Sequence, residues 1–374
     1  MIRLLILSIL LFGLIYPQQF SLNSYRTNDS CPEMSINGLE GIIGVMVQFD
    51  KEDPDDLRTS GDGEFITLEP SIDDPYPSFI NYDDISRCSK SLLESPPHNS
   101  SYFESQLRSV INYYRTISNN QIFSDEYPRY EMIDEVYNAE EKMEYYARSE
   151  NRLVELYTET ILQASDRIIN IAENIESKNG KGWKNNEFII VVFHAGLGQD
   201  LGSSGFDPTI YDIHSAYIDP DMLGSSIEIE SNSEGTEITR TISNGILLPE
   251  TLNPIYYDVI EDMYSPSFTD EEDLEDVYCY HQTGMTGLFA YLLGYRLCMP
   301  PMHSTDNIYP VVRIGRFGLM DYGAYNRHGL IPAPPNIWTR TKHQQLLSNQ
   351  AINITNDIFE NYDEGITLTI GSNL

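Results

Sequence analysis

Phe188-Ile189-Ile190-Val191-Val192-Phe193 is six consecutive apolar residues, four of them β-branched. A run this short cannot cross a bilayer. With no polar alternation it cannot face water on either side, so it reads as a strand buried on both faces, as in a parallel sheet covered by helices. Ile42 to Phe49 reads as a second buried strand. Ser100 to Ile117 reads as a helix, with Phe103, Leu107, Val110, Ile111 and Tyr114 spaced by three and four. Pro96-Pro97 stop the chain before it, and Ser100 and Ser101 are candidate caps. Ala139 to Ile175 carries a longer helical pattern, broken near Ser149-Glu150. Gly284 to Leu297 is apolar on nearly every side and must be a buried helix. Ile227 to Ile242 alternates as a hairpin turning within Ser231 to Gly235. Residues 310 to 340, rich in Gly, Pro and aromatics, read as ordered loops, and the last 25 residues as strands.

Charge narrows the partners. The chain has 374 residues, with 57 Asp and Glu against 23 Lys and Arg, a net charge of -34. That field repels phosphates, which excludes nucleic acid and anionic membrane surfaces as partners. It suits calcium, which takes 6–8 oxygen ligands. The loop after the first strand gathers Asp50, Asp53, Asp55, Asp56, Asp62 and Glu64 beside Gly61 and Gly63. These carboxylates are the candidate calcium ligands, although their spacing is not that of an EF-hand; a solvated acidic loop is the alternative.

The N-terminus, Met1-Ile2-Arg3 followed by an apolar run from Leu4 to Tyr16, has the form of a secretory signal over residues 1–19. The run is short for a membrane span, and no second segment could make one. Export places the protein outside the cell, at its surface or in a periplasm. It also permits disulfides among Cys31, Cys88, Cys279 and Cys298, which allow three connectivities.

Several segments then line up in order over residues 40–340 with one family. Val192-Phe193-His194-Ala195-Gly196-Leu197-Gly198-Gln199-Asp200, Asp207-Pro208-Thr209 and Asp212-Ile213-His214-Ser215-Ala216 resemble the central strand and following loop of secreted zinc metallopeptidases of the immune inhibitor A type. Gly245-Ile246-Leu247-Leu248-Pro249-Glu250-Thr251 resembles that family's GLLPET segment, and Gly315 to Asn326 its GxFGLMDxGxxN loop. Pro332 to Trp338 resembles its PAPPxAW segment. Upstream, Thr59 to Phe65 and Pro96 to Phe103 fit as well. The resemblance implies an α/β (α+β) fold, a zincin-like metallopeptidase domain with a mixed twisted sheet and long packed helices. It divides the chain into an N-terminal part with the acidic loop, 22–130, a peptidase-like core, 131–345, and the start of a further β segment, 346–374, shorter than in family members.

The chemistry departs from the family. Its zinc helix reads GLLAHEFGHxLGLPDLYDT, whereas this chain has Tyr291 and Tyr295 in place of the two His ligands and Leu292 in place of the general-base Glu. His at i and i+4 presents two nitrogens to one Zn²⁺. A neutral phenol, with a pKa of about 10, is a poor substitute, and Leu cannot take a proton from bound water. Zinc is therefore not expected, nor is proteolysis through it. The expectation is an inactive relative that binds an unknown protein or peptide through the old cleft, with Tyr291, Tyr295, His281, His303 and Asp321 around its floor.

Two other readings stand beside this one: a hydrolase with a rearranged site, and a calcium-dependent surface or adhesion module. For a displaced zinc, His281, His303, His328, Asp306 and Asp321 are at hand, but no pair has one-face helical spacing. His194 and Asp200 lack a Gly-x-Ser-x-Gly partner, and Ser203-Ser204-Gly205 reads as loop. Cys298 with His303 could supply a nucleophile and a base, against the alternative of a buried or disulfide-bonded cysteine.

Overall fold

A computed structural model describes residues 39–53, 58–67, 93–123, 129–174, 182–185, 187–201, 209–233, 236–257, 282–303 and 314–342. Five strands form one sheet in the order β2-β1-β3-β7-β4. They are β1 (Gly41–Gln48), β2 (Tyr130–Asn138), β3 (Phe188–Leu197), β4 (Ala216–Ile218) and β7 (Gly245–Thr251). β2, β1, β3 and β7 run parallel, and β4 lies antiparallel on the edge beside β7. The sheet is thus mixed, and the fold is mixed α/β. The six-residue apolar run lies in the middle of it: every residue of β3 is buried. The strand also extends four residues past Phe193, through His194-Ala195-Gly196-Leu197. β5 (Ile227–Ser233) and β6 (Thr236–Ile242) form a separate antiparallel hairpin, with Ser233 opposite Thr236.

Parallel neighbours need crossovers. The helix α1 (Ser100–Ser118) connects β1 to β2. Between β2 and β3 come α2 (Met143–Tyr146), α3 (Glu150–Gln163) and α4 (Ser165–Asn174). The long helical pattern breaks at two places, around Ser149 and at Ala164. The short α5 (Pro220–Leu223) follows β4. The helix α6 (Met285–Arg296) is the all-round apolar one, and each of its residues except Thr286 is buried. Of residues 310–340, those from 314 to 336 are mostly turns, as their composition predicts, but α7 (Ile337–Lys342) is helical. The cap of α1 is Asn99 rather than either serine. Its Oδ1 accepts from the Ser101 and Tyr102 N–H groups at 3.1 and 3.2 Å, which fills two of the orphan donors.

Side-chain alternation along β3 assigns the layers. Phe193 packs against Phe103 of α1 and Phe289 of α6, ring centroids 4.6 and 6.3 Å away, so α1 and α6 cover that face. Ile190 points the other way and pairs with Gly245. A side chain at Gly245 would run into Tyr157 of α3, so α3 covers the opposite face. β1, from the N-terminal part of the chain, sits between β2 and β3, so residues on both sides of position 130 share one core. Residues 1–38 and 343–374, which hold the signal-like run and the terminal β pattern, lie outside the described residues. No helix among the described residues is long and apolar enough to cross a membrane.

Candidate functional site

The helix α6 is held at both ends by the loops around it. Gly284, at its N-cap, offers no side chain, so the first N–H groups find other acceptors. Met285 N–H donates to Glu94 Oε1 at 2.7 Å. Gly284 and Gly287 N–H donate to the carbonyls of His328 and Gly329, at 2.6 and 2.7 Å. Arg327, His328 and Gly329 all have positive φ, which turns those carbonyls onto the helix. At the other end Cys298 is left-handed, with φ 60°. Cys298 N–H bonds Tyr295 O at 2.8 Å and Met299 N–H bonds Gly294 O at 2.9 Å, a Schellman ending.

That turn brings His303 back over α6. Tyr291 and Tyr295, one turn apart, are buried and share a hydrogen bond of 2.6 Å between their hydroxyls. Tyr291 Oη is also 2.8 Å from His303 Nε2. The two phenol rings meet edge to face at 5.2 Å, and Tyr217 of β4 stacks on Tyr295 at 6.2 Å. Burial, followed by the neighbouring Tyr295, holds the Tyr291 phenol well above its usual range, so it is neutral at physiological pH. Behind the pair, Arg296 is buried, and burial lowers its affinity for a proton while Tyr217 opposes that effect.

Asp321 plays a different part from the one its sequence position suggests. Its Oδ2 accepts from the Ile314 and Gly315 N–H groups, both at 2.9 Å, and its Oδ1 from Tyr322 N–H at 2.9 Å. It organises its own loop, and it lies near enough to Tyr291 to be felt electrostatically. That loop packs on α6. A Cβ at Gly287 would collide with the Ala324 carbonyl, and one at Gly294 would lie 2.6 Å from Met320 Sδ. Met302 N–H donates to Met320 O at 2.7 Å, tying the segment before His303 to the same loop. His281 lies outside the described residues.

The remaining candidates are dispersed. Tyr217, which stacks on Tyr295, pairs with Ile246, and Ile246 pairs with Val191, so α6 lies on the odd-numbered face of β3. His194 is on the other face and is fully buried, with Nδ1 2.9 Å from Ala195 O. Asp200 is buried at the end of β3 and accepts from the Ser215 N–H and hydroxyl, at 3.0 and 2.8 Å. Cys298 is disulfide-bonded. The other three cysteines lie outside the described residues, so its partner does too. A disulfide sulfur is not a thiolate, and Cys298 is not a nucleophile in this state.

In the acidic loop, Lys51 Nζ sits 3.4 Å from Asp62 and 3.6 Å from Glu64. Asp62 Oδ1 also accepts from Glu64 N–H at 3.2 Å. Glu52 accepts from the Thr59 hydroxyl at 2.5 Å and from Met143 N–H at 3.0 Å. Asp50 and Asp53 belong to the described residues; Asp55 and Asp56 do not. Among the described residues, no group of three or more His, Cys, Asp or Glu side chains is placed to hold a metal ion.

A second polar centre was not anticipated from the sequence. Glu250, at the end of β7, is fully buried and accepts from four groups. They are Ile66 N–H at 2.7 Å, Gly196 N–H at 3.0 Å, the Tyr257 hydroxyl at 3.1 Å and His98 Nδ1 at 2.7 Å. His98 Nε2 faces Glu94 O at 2.8 Å. This centre joins the ends of β3 and β7 to the segments before α1. The signal in the sequence was a His after the Pro96-Pro97 pair and a Glu closing an apolar run, 152 residues apart. Compared with known families, curated proteins and solved structures, the chain matches no family model, no curated protein and no solved structure.

Proposed function

We propose that this chain is an exported relative of the immune inhibitor A-type metallopeptidases that has lost zinc and proteolysis and serves as a binding or scaffold protein for a protein or peptide. The observation that carries the reading is the Tyr295–Tyr291–His303 chain, two phenols and an imidazole linked through Tyr291 at 2.6 and 2.8 Å where the family pattern puts zinc and its base. Leu292, at the position of the base, is buried and has no proton to exchange.

Three further observations support the zincin-like reading. The sheet is mixed, and α6 packs against β4 and β7. The loop matching GxFGLMDxGxxN lies against the helix matching the zinc helix, close enough that Gly287 must be glycine. Cys298, which stands where the family pattern has Gly, keeps the left-handed conformation that Gly would adopt. Its disulfide supports export, since such bonds persist in oxidising compartments. The binding role is supported by exposed apolar side chains in the segment after α6 and at the start of α7: Phe317 is 87% exposed, Ile331 66% and Ile337 72%, with Trp338 next to Ile337 in sequence.

Zinc content and proteolysis test the reading together. The purified protein is expected to hold no stoichiometric zinc and to leave casein and gelatin intact. Chelator-sensitive cleavage would remove the reading. Panning the protein against a displayed peptide library tests the binding role, with selected peptides expected to be lost on joint Phe317→Ser and Trp338→Ala replacement. Calcium enters only through the acidic loop. Equal melting temperatures in millimolar calcium and in chelator, at matched ionic strength, would remove it.

A further inference from the structure

We propose that the surface formed by residues 314–338 is a docking site for an acidic peptide segment that carries aromatic or aliphatic side chains. The inference rests on the binding role proposed above and names the chemistry of its partner. Four apolar side chains are exposed here: Phe317, Ile331, Ile337 and Trp338. Backbone contacts gather them into one region. Asn326 Nδ2 donates to Arg316 O at 3.0 Å, and Ile331 N–H donates to Asn326 O at 3.3 Å, so Arg316-Phe317, Arg327 and Ile331 surround Asn326. Leu319 N–H donates to Pro334 O at 3.3 Å, and a Cβ at Gly318 would lie 3.4 Å from Asn336 Cβ. Those contacts set the start of α7, with Ile337 and Trp338, beside Phe317.

Charge decides what covers them. The chain as a whole is at -34, yet residues 314–342 hold Arg316, Arg327, Arg340 and Lys342 against one acid, Asp321. Asp321 is buried, and its oxygens are turned to the N–H groups of Ile314, Gly315 and Tyr322. Arg316 and Arg327 are exposed, and among the described residues no acid is bonded to either. The helices beside the loop keep the sign. The Tyr113 hydroxyl of α1 donates to Ala333 O at 2.7 Å, and α1 carries Glu104 against Arg108 and Arg115. Arg296 is the one charged residue of α6. A short ligand feels these local cations more than the net charge, because fields fall off over about 8 Å at physiological ionic strength. An anionic membrane would instead face the whole acidic molecule across an extended plane, so a peptide suits this surface better than lipid does. The apolar side chains supply contact area, and the arginines set the sign and register of the partner.

The test pans the full chain against a displayed library of random peptides. Selected sequences are expected to combine Asp or Glu with Phe, Trp, Leu or Ile. Joint Arg316→Glu and Arg327→Glu replacement should weaken a selected peptide about tenfold, the worth of two exposed ion pairs. The same variant should bind that peptide remade with Lys in place of its acids more tightly than the unaltered protein does. Should the double variant fail to fold, Arg316→Glu alone is measured, with an expected loss of about threefold. Selected peptides that are neutral or basic, or acidic ones indifferent to the arginine reversal, overturn the inference and leave the binding role standing. Binding to phosphatidylcholine or phosphatidylserine vesicles that is lost on joint Phe317→Ser and Trp338→Ala replacement would assign the surface to a membrane and overturn it as well. An empty selection overturns both the inference and the binding role, and chelator-sensitive cleavage removes the functional reading beneath them.

Discussion

A phenol both donates and accepts, which is why two of them and an imidazole can satisfy one another in a buried setting. Tyr291 is the middle member of that chain, and Tyr291→Phe breaks both hydrogen bonds of the chain while keeping the ring. The expected loss is about 2 kcal/mol, and about 1 kcal/mol for Tyr295→Phe, which breaks one. Urea denaturation measures both, and the reverse order would show that His303 does not need Tyr291. The glycines of α6 separate two kinds of crowding. At Gly287 the obstacle is the Ala324 carbonyl, backbone that cannot move aside; at Gly294 it is the flexible thioether of Met320. Replacing helical Gly by Ala gains about 1 kcal/mol in propensity. At Gly294 that gain should nearly offset the crowding. At Gly287 overpacking of about 3 kcal/mol wins, and Gly287→Ala should be clearly the less stable.

Each element was legible to the degree that its signal was local. β3 and α6 announce themselves by apolar runs that only burial can explain, and α1 by its three-and-four spacing. β2 gave no such sign. It is an edge strand with Glu131, Asp134 and Glu135 exposed and only Ile133 buried, and its pairing with β1 is set by contacts about 90 residues apart. In the site, the spacing of Tyr291 and Tyr295 could be read from the helix. Asp321 could not be distinguished as a loop organiser, because its partners are backbone N–H groups with no sequence signature. The His98–Glu250 pair was hidden in the same way, and it makes a prediction at this scale. His98→Ala leaves a fully buried carboxylate with three of its four donors. Breaking a buried pair on one side costs about 3 kcal/mol or more. Asn99→Ala, which removes only the cap of α1 in a solvent-exposed position, should cost about 1 kcal/mol. Chemical denaturation that ranks these two the other way would refute the account of Glu250 as a junction between strands.

The stability of the whole molecule should respond to acid through two buried groups that oppose each other. Burial pushes the His194 imidazole down to about 4 from an ordinary 6.5, and it pushes Asp200 up to about 6 from 3.8 against the pull of Ser215. Between pH 6.5 and 4 the unfolded chain takes up a proton at His194 that the folded protein refuses, so acid destabilises through this group. Between pH 6 and 3.8 the folded protein keeps a proton at Asp200 that the unfolded chain has released, so acid stabilises through that one. Each shift corresponds to about 3 kcal/mol, and the two nearly cancel across the shared window. Removing either partner should expose the other. Relative to the unaltered protein, His194→Gln should gain about 3 kcal/mol on going from pH 7 to pH 4, since its acid penalty is gone. Asp200→Asn should lose about 3 kcal/mol over the same interval, because its amide is neutral throughout and draws no benefit from protonation. The exposed carboxylates drop out of the comparison; His214, also lowered by burial, lies close enough to His194 to lower it electrostatically, so it drops out of the Asp200→Asn comparison and adds to the relief in His194→Gln. Unfolding free energies of the three proteins at the two pH values supply the double differences. Equal signs for the two variants would mean that the groups do not titrate in the buried settings described for them.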